Sequence, residues 1–380
     1  MTTTPAIFLG LAVGLLLGCA EGANPDPAGA PSRATEAAAD TLWSLSMAPE
    51  AEYGARGAGG PFFDRISGVT TTSAGTVAVV DGGGVLTLIA PSGEVRTFGD
   101  AGEGPGEFVS PTLLASRNTD SIPIYDFRLR RLHLVDPDDL GYRIVDGFPG
   151  GTPIGWVDGW AAIADRDLPR PRTPGMHPRT HEYSWFNAED GSNTKFLEIV
   201  VARMFTNDPP NVSYVPFLNS RPVIALGTDG VLIAPDDGPD VRFFDRDGKV
   251  RQTWTSQVPP RPVDARLLRA AVADFEARTE RDGSWFERAL SEMTLPDDLP
   301  YFGQIIVEDD GTRWLKRFRA PGIGENDTWR VFSADGTLIG RVETPGRLEV
   351  QEVGADFILG VWVDELGVES VRRYTLRRTR

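Results

Sequence analysis

The chain is expected to fold as an all-β, six-bladed β-propeller of four-stranded antiparallel blades, with an N-terminal strand closing the last blade and a short helical insertion. Three observations carry this expectation. First, a turn phrase recurs: Leu88–Gly93, Leu134–Asp139, Phe243–Gly248 and Val331–Gly336 each run from apolar residues into polar ones ending in Gly or an acid, and Trp185–Gly191 is a looser copy. Hairpin turns repeating at this interval signal radial repetition of a small sheet. Second, Val77–Asp81 and Ile122–Asp126 are matching strands 45 residues apart, which suits one blade. Third, 42 Gly and 30 Pro without a G-X-Y period imply many turns and many short strands.

The elements follow in chain order. Ala6 to Leu17 is an uninterrupted apolar run, shorter than the roughly 20 residues that span a bilayer, and it fits the core of a signal peptide. It ends in Leu16-Leu17-Gly18-Cys19, followed by Ala20. This segment resembles the lipobox of bacterial lipoproteins. The resemblance implies cleavage before Cys19, lipidation of Cys19, and sorting to the outer membrane, facing the periplasm or the cell surface. Two or more acyl chains hold a protein stably where one does not. Residues 1–5 carry no Lys or Arg, a departure from the usual basic start. Residues 1–18 are thus read as signal peptide and 19–40 as the lipidated cysteine and a tether. That tether is small, Pro-rich and too poor in large apolar groups to offset ordering entropy. Residues 41–380 are read as the propeller.

Within it, 66–98 reads as four strands broken by Ser73-Ala74-Gly75, Gly82-Gly83-Gly84 and Pro91-Ser92-Gly93. The second unit contains Ile122–Asp126 and Leu132–Val135. A third runs from Pro153 to about Val200, with a Pro- and Arg-rich insertion near 166–181. The fourth spans Val223–Trp254, the fifth Phe302–Val342 and the sixth Leu348–Leu376. The sixth has only three strands before the chain ends, so Leu42–Met47 is expected to supply its fourth and remove an exposed edge. Pro262 to Met293 breaks the pattern. Leu267, Leu268, Ala271, Val272 and Phe275, then Trp285, Phe286, Ala289, Leu290 and Met293, recur at helical spacing, predicting two amphipathic helices on one rim of the ring.

Gly102-Glu103-Gly104-Pro105-Gly106-Glu107-Phe108, the Asp-Gly turns and the run Phe357–Glu369 resemble the six-bladed β-propeller family related to NHL repeats, many of whose members are bacterial lipoproteins. The resemblance covers residues 42–378 and implies the fold. It brings no shared catalytic set, so no catalytic residue is assigned from it. The Gly-Pro-Gly stretch itself reads as a tight inter-blade connection; no Lys-Ser/Thr follows it, so it is not read as a phosphate loop.

Composition bounds the chemistry. With 54 acids against 38 bases the formal charge is −16, and nucleic acid, which binds by phosphate neutralisation, is not an expected partner. Cys19 is the single cysteine, so no intrachain disulfide and no cysteine-based metal site can form. The expected inner strands, near 66–70, 112–116, 154–157, 223–226, 305–308 and 348–352, hold no histidine and few acids. His133 falls on a third strand, away from the axis. His177 and His181 are four apart, but Pro178 opposes the helix that would align them as ligands. Asp81 and Asp126 end second strands and read as turn-forming acids. Trp156, Trp160, Trp185 and Trp314 are read as filling gaps between blades rather than lining a groove. No G-x-S-x-G elbow is present. The expected function is a non-catalytic, monomeric binding module anchored to the membrane through Cys19, with no metal or cofactor and with a protein, peptide or glycan ligand. The alternative is a metal-dependent lyase or hydrolase working at the central channel.

Overall fold

In the computed structural model, residues 42–54, 61–117, 120–165, 173–206, 213–214, 218, 221–235, 238–279, 283–292 and 295–378 are described. The segments expected to be signal peptide and tether, with Cys19, lie outside these residues.

Six sheets follow one another along the chain. Blade 1 comprises Ile66–Thr71, Val77–Asp81, Leu86–Ile89 and Val95–Phe98, and blade 2 comprises Pro111–Leu113, Ile122–Asp126, Arg131–Val135 and Tyr142–Ile144. Thr152–Val157, Trp160–Asp165, Gly175–Asn187 and Asn193–Thr206 make blade 3, and Val223–Leu226, Gly230–Ala234, Asp240–Asp245 and Val250–Thr255 make blade 4. Blade 5 is Phe302–Val307, Arg313–Arg317, Asn326–Phe332 and Leu338–Pro345; blade 6 is Leu348–Val353, Phe357–Val363 and Glu369–Arg377, completed from the N-terminus. In each blade the first strand is innermost, and these first strands touch one another in cyclic order, blade 6 against blade 1 included.

Six apolar cores hold the ring, one in each seam between successive blades. Alternating side chains on a strand point to opposite faces, so every blade feeds two seams. Blade 1 sends Ala78 and Val80 toward blade 2 and Val77 and Val79 toward blade 6. Such a strand needs apolar residues on both faces; Val77–Val80 supplies them, and Val77–Asp81 is buried at every position. The seams are wide, and large rings fill them: Trp156, Trp185, Trp254, Trp314 and Trp329 are fully buried. The gap-filling role expected of Trp156, Trp185 and Trp314 is what the structure shows. Trp160 is half-buried, with the Arg246 guanidinium 5.2 Å from its ring centre.

One seam is also sewn by backbone. Past Leu114 the innermost strand of blade 2 continues as Ala115–Arg117 and pairs in parallel with Gly155–Val157 of blade 3.

The ring closes as expected, with more chain than expected. Ser44–Leu45 pairs with Arg377 and Leu376, and after a break Ala51–Tyr53 pairs with Arg373 to Val371. The second stretch lies beyond Leu42–Met47 and was not foreseen. Just before the first stretch, Trp43 enters the seam of blades 5 and 6. Its backbone N–H donates to Arg341 O at 2.8 Å, its indole meets Trp314 edge-on at 5.8 Å, and Gly340 lies beneath it. A Cβ on Gly340 would come within 2.7 Å of the indole, so glycine is required there. The C-terminal end meets it: Arg378 lies 5.1 Å from the Trp43 ring and pairs with Glu308 at 2.5 Å, while Trp314 Nε1 donates to the other Glu308 oxygen at 2.6 Å. Burial pushes the Glu308 carboxyl up; Arg378 and Trp314 pull the other way.

The insertion is two helices, α1 (Ala265–Thr279) and α2 (Ser284–Glu292). Asp264 caps α1, accepting from Leu267 N–H at 2.8 Å. Leu267 packs with Leu299 and Ala320 on the blade 5 rim, and Phe275 of α1 stacks on Phe286 of α2 at 4.8 Å. The rim placement expected from sequence is therefore correct. The Pro- and Arg-rich insertion expected in blade 3 near 166–181 is strand from 175 onward, paired with 199–206 to form a ribbon that outruns the neighbouring strand. The blade also reaches Thr206 rather than Val200.

Candidate functional site

The two faces of the ring are built differently, and the meander is the reason. Connections from first to second and from third to fourth strands fall on one face, here called the turn face. Connections from second to third strands, and from one blade to the next, fall on the other, the link face.

The turn face consists of short turns with local satisfaction. Asp245 Oδ1 accepts from Asp247 and Lys249 N–H at 3.0 and 2.8 Å, and Asp335 repeats part of this pattern, accepting from Thr337 N–H at 3.0 Å. Gly93, Gly248 and Gly336 end the recurrent phrase at positive φ. In blade 2 the phrase is one residue longer and Leu140 takes that conformation at φ 62°.

Among the described residues, the link face carries the longer segments: 61–65, 99–110, the helices α1 and α2, the loop 318–325 and the open end of the 175–181 ribbon. Exposed apolar side chains gather on it over three successive blades. Leu366 of blade 6 is 78% exposed, Phe62 before blade 1 is 73% exposed, and Val109 and Phe127 around blade 2 are exposed as well.

Residues singled out in the sequence resolve as follows. Asp126 is fully buried at the link-face end of blade 2. Its Oδ2 accepts from Val109 and Ser110 N–H at 2.7 and 3.0 Å, its Oδ1 from Arg128 and Leu129 N–H at 2.9 and 2.7 Å. Burial pushes the carboxyl up, but the four donors outweigh it and hold it below the usual range. Asp81 does the same on a smaller scale, accepting from Gly83 and Val85. Both are turn-forming acids, as expected, and Asp126 also fixes the incoming link.

Gly102–Phe108 closes on itself. Gly102 N–H donates to Phe108 O, Gly104 N–H donates to Glu107 Oε2 at 2.8 Å, and Phe108 plugs the seam of blades 1 and 2. The Glu107 carboxylate takes the place an anion would need, which agrees with a structural connection.

His133 is fully buried in that same seam, its ring 4.7 Å from Phe108 and 6.2 Å from Tyr142, with neither ring nitrogen bonded to protein. Burial lowers its pKa; Asp126 opposes this and Arg131 adds to it. The folded chain therefore resists a proton that the unfolded chain accepts near pH 6.5. Stability should fall as pH drops below about 6.5, by at most about 1.4 kcal/mol per pH unit, until the folded histidine itself protonates. His133→Leu is expected to flatten this limb; urea unfolding at pH 7.5 and 5.5 measures it, and an unchanged pH dependence would refute it.

His177 and His181 lie on the ribbon strand, opposite Met204 and Ile199. The strand, with a bulge between Arg179 and Thr180, spaces them along the ribbon, and His177 Nε2 lies 2.8 Å from Thr173 O. Among the described residues no three His, Cys, Asp or Glu side chains are grouped so as to hold a metal ion. At the axis the notable acid is Glu352, which accepts from Thr70 Oγ1 at 2.8 Å, Thr71 N–H at 2.6 Å and the Thr71 hydroxyl, joining the inner strands of blades 6 and 1.

No family model matches this chain, and no curated protein matches it. Solved structures do. A member of the DUF4221 family from Bacteroides vulgatus is 9% identical with a TM-score of 0.52, covering 88% of this chain and 99% of that one. A Bacteroides fragilis protein assigned as exported is 10% identical with a TM-score of 0.47, covering 90% and 100% of the two chains. A protein of unknown function from Bacteroides thetaiotaomicron is 12% identical with a TM-score of 0.43, covering 89% and 75%. At such identities the likeness to the first is one of fold, and the chain is a six-bladed β-propeller.

Proposed function

We propose that this propeller is a non-catalytic, extracytoplasmic binding module, held at a membrane through Cys19, which receives a protein or peptide on its link face. The observation that carries the reading is the asymmetry of the faces. The turn face is tight and internally bonded; the link face holds the long segments and the apolar arc of Leu366, Phe62, Val109 and Phe127. Exposed loops on a rigid scaffold are the usual place for recognition, and grouped exposed apolar residues mark interaction surfaces. The described chain enters the ring from the turn-face side, running past Trp43 to Ser44–Leu45 along the outer edge of blade 6. The apolar run before Cys19 supports export, and the lipobox-like segment supports anchoring.

Cys19→Ser is expected to move the protein from the membrane to the soluble fraction while leaving its binding on a peptide array unchanged. In that background Phe127→Ser with Leu366→Ser should abolish array binding. Membrane retention of Cys19→Ser would end the anchoring reading. Array binding that survives the link-face substitutions, or a stoichiometric metal lost together with an activity on chelation, would end the binding-module reading.

A further inference from the structure

Blade 5 turns an unbalanced set of cations toward blade 4. The register sets Arg330 opposite Leu315 on one side and directly opposite Arg341 on the other. With the period-two alternation of strands, Arg313, Arg317, Arg330 and Arg341 therefore share one face of the sheet. Contacts show that this face looks at blade 4. Arg313 donates to Gln252 Oε1 at 2.9 Å and lies 4.4 Å from the Trp254 ring centre, and Arg330 donates to Ser256 O at 2.9 Å. From the link above, Arg261 reaches in and donates to Phe318 O.

Like charges directly opposite in an antiparallel pair are destabilising. In a chain of net charge −16, acids to offset them are plentiful. The opposite face of the same blade uses one: Lys316 and Arg319 share Asp327 at 3.4 and 2.7 Å. On the blade 4 side, among the described residues, Arg261, Arg317, Arg330 and Arg341 pair with no carboxylate, and the Nε atoms of Arg317 and Arg341 are shielded from solvent without an acceptor. Glu343 shares this face two residues beyond Arg341, but it is exposed and accepts from Asn326 at 3.4 Å. Burial, with Arg317 adding to it, brings Arg261 down to about 10; burial, then Arg341 and Arg317, lowers Arg330. Arg261 and Arg330 thus feel their neighbours' charge.

The geometry points to an oxyanion site in the seam of blades 4 and 5, where Arg261, Arg317, Arg330 and Arg341 hold a phosphate or sulfate group. Guanidinium forks suit such groups, and they are the preferred cations for partly buried anions. A bound dianion would relieve the repulsion between facing arginines and tie the two blades together. The site is separate from the apolar arc of blades 6, 1 and 2 and stands whether or not that arc binds a partner.

The test uses the exported chain carrying Cys19→Ser, with inorganic phosphate and inorganic sulfate against chloride at equal ionic strength, followed by thermal unfolding and titration calorimetry. A saturable rise in midpoint with an oxyanion and none with chloride is expected. Arg317→Gln and Arg330→Gln should each weaken binding about tenfold or more. Arg251→Gln, at an exposed residue paired with Asp245, should leave it unchanged. In chloride at low salt, Arg341→Gln should unfold at the same temperature as the native chain or higher, since it removes a repulsion. Tighter binding of phosphate assigns a phosphorylated ligand, and tighter binding of sulfate a sulfated one. Absence of any saturable shift, or equal weakening by Arg251→Gln, overturns the site.

Discussion

Trp43→Ala is expected to destabilise the ring by about 3–5 kcal/mol, the range for emptying a large buried aromatic site. The indole is 5% exposed, wedged between Trp314, Gly340 and Arg378. Nothing nearby can collapse into the gap without moving the strand that completes blade 6. The loss should exceed that of an ordinary core truncation in one respect: it frees the short Ser44–Leu45 strand, held to the sheet by only two residue pairs. Met47→Ala is the control, because Met47 is wholly exposed and its truncation should be neutral. Denaturant unfolding followed by tryptophan fluorescence and far-UV circular dichroism measures both. A loss under about 1 kcal/mol for Trp43→Ala would mean that the ring does not depend on its N-terminal closure.

Asp126→Ala should cost about 2–4 kcal/mol, because four backbone N–H groups lose a shared ionised acceptor in a buried place. Asp126→Asn keeps the shape and one accepting oxygen but turns an amide toward two donors, so it should fall between alanine and the native residue. The pH dependence carries the sign. The folded carboxyl is held below its unfolded value of 3.8, so its contribution is full above about pH 4 and is lost as pH falls through the folded value. In the Asn variant that acid limb should vanish, while the limb below pH 6.5 assigned to His133 remains. Urea titrations from pH 2.5 to 7.5 separate the two. An Asn variant that keeps the full acid limb would remove Asp126 as its source.

Much of the fold was legible because the turn chemistry is explicit. Gly93, Gly248 and Gly336 occupy positions that require positive φ, and Asp245, Asp335 and Asp364 satisfy the backbone beside them, so the residues needed for the hairpins are visible without neighbours. The largely apolar second strands Val77–Asp81 and Ile122–Asp126 were legible too, being buried on both faces. Ala51–Tyr53 was not, since three residues show no periodicity and their partner lies at the far end of the chain. The ribbon 175–181 was hidden by Pro178, which a strand tolerates where one side has no partner; the neighbouring strand has already ended there. The arginine cluster could not be read at all. Arg317, Arg330 and Arg341 lie on three strands, and only the pairing register decides that they share a face. The link-face arc likewise comes from three blades, and exposure is set by the completed ring.

The parallel stitch between Ala115–Arg117 and Gly155–Val157 makes the six joints mechanically unequal. Blades 2 and 3 share main-chain bonds across their boundary, so they behave as one stiff wedge of about a third of the circle. Among the described residues, blades 4 and 5, lying outside that wedge, share no such strand pairing and carry mutually repelling charge between them. Breathing of the circle is thereby directed away from the stitched joint and toward the arginine-lined one, so an anion captured there would act as a clasp on the most yielding part of the circumference.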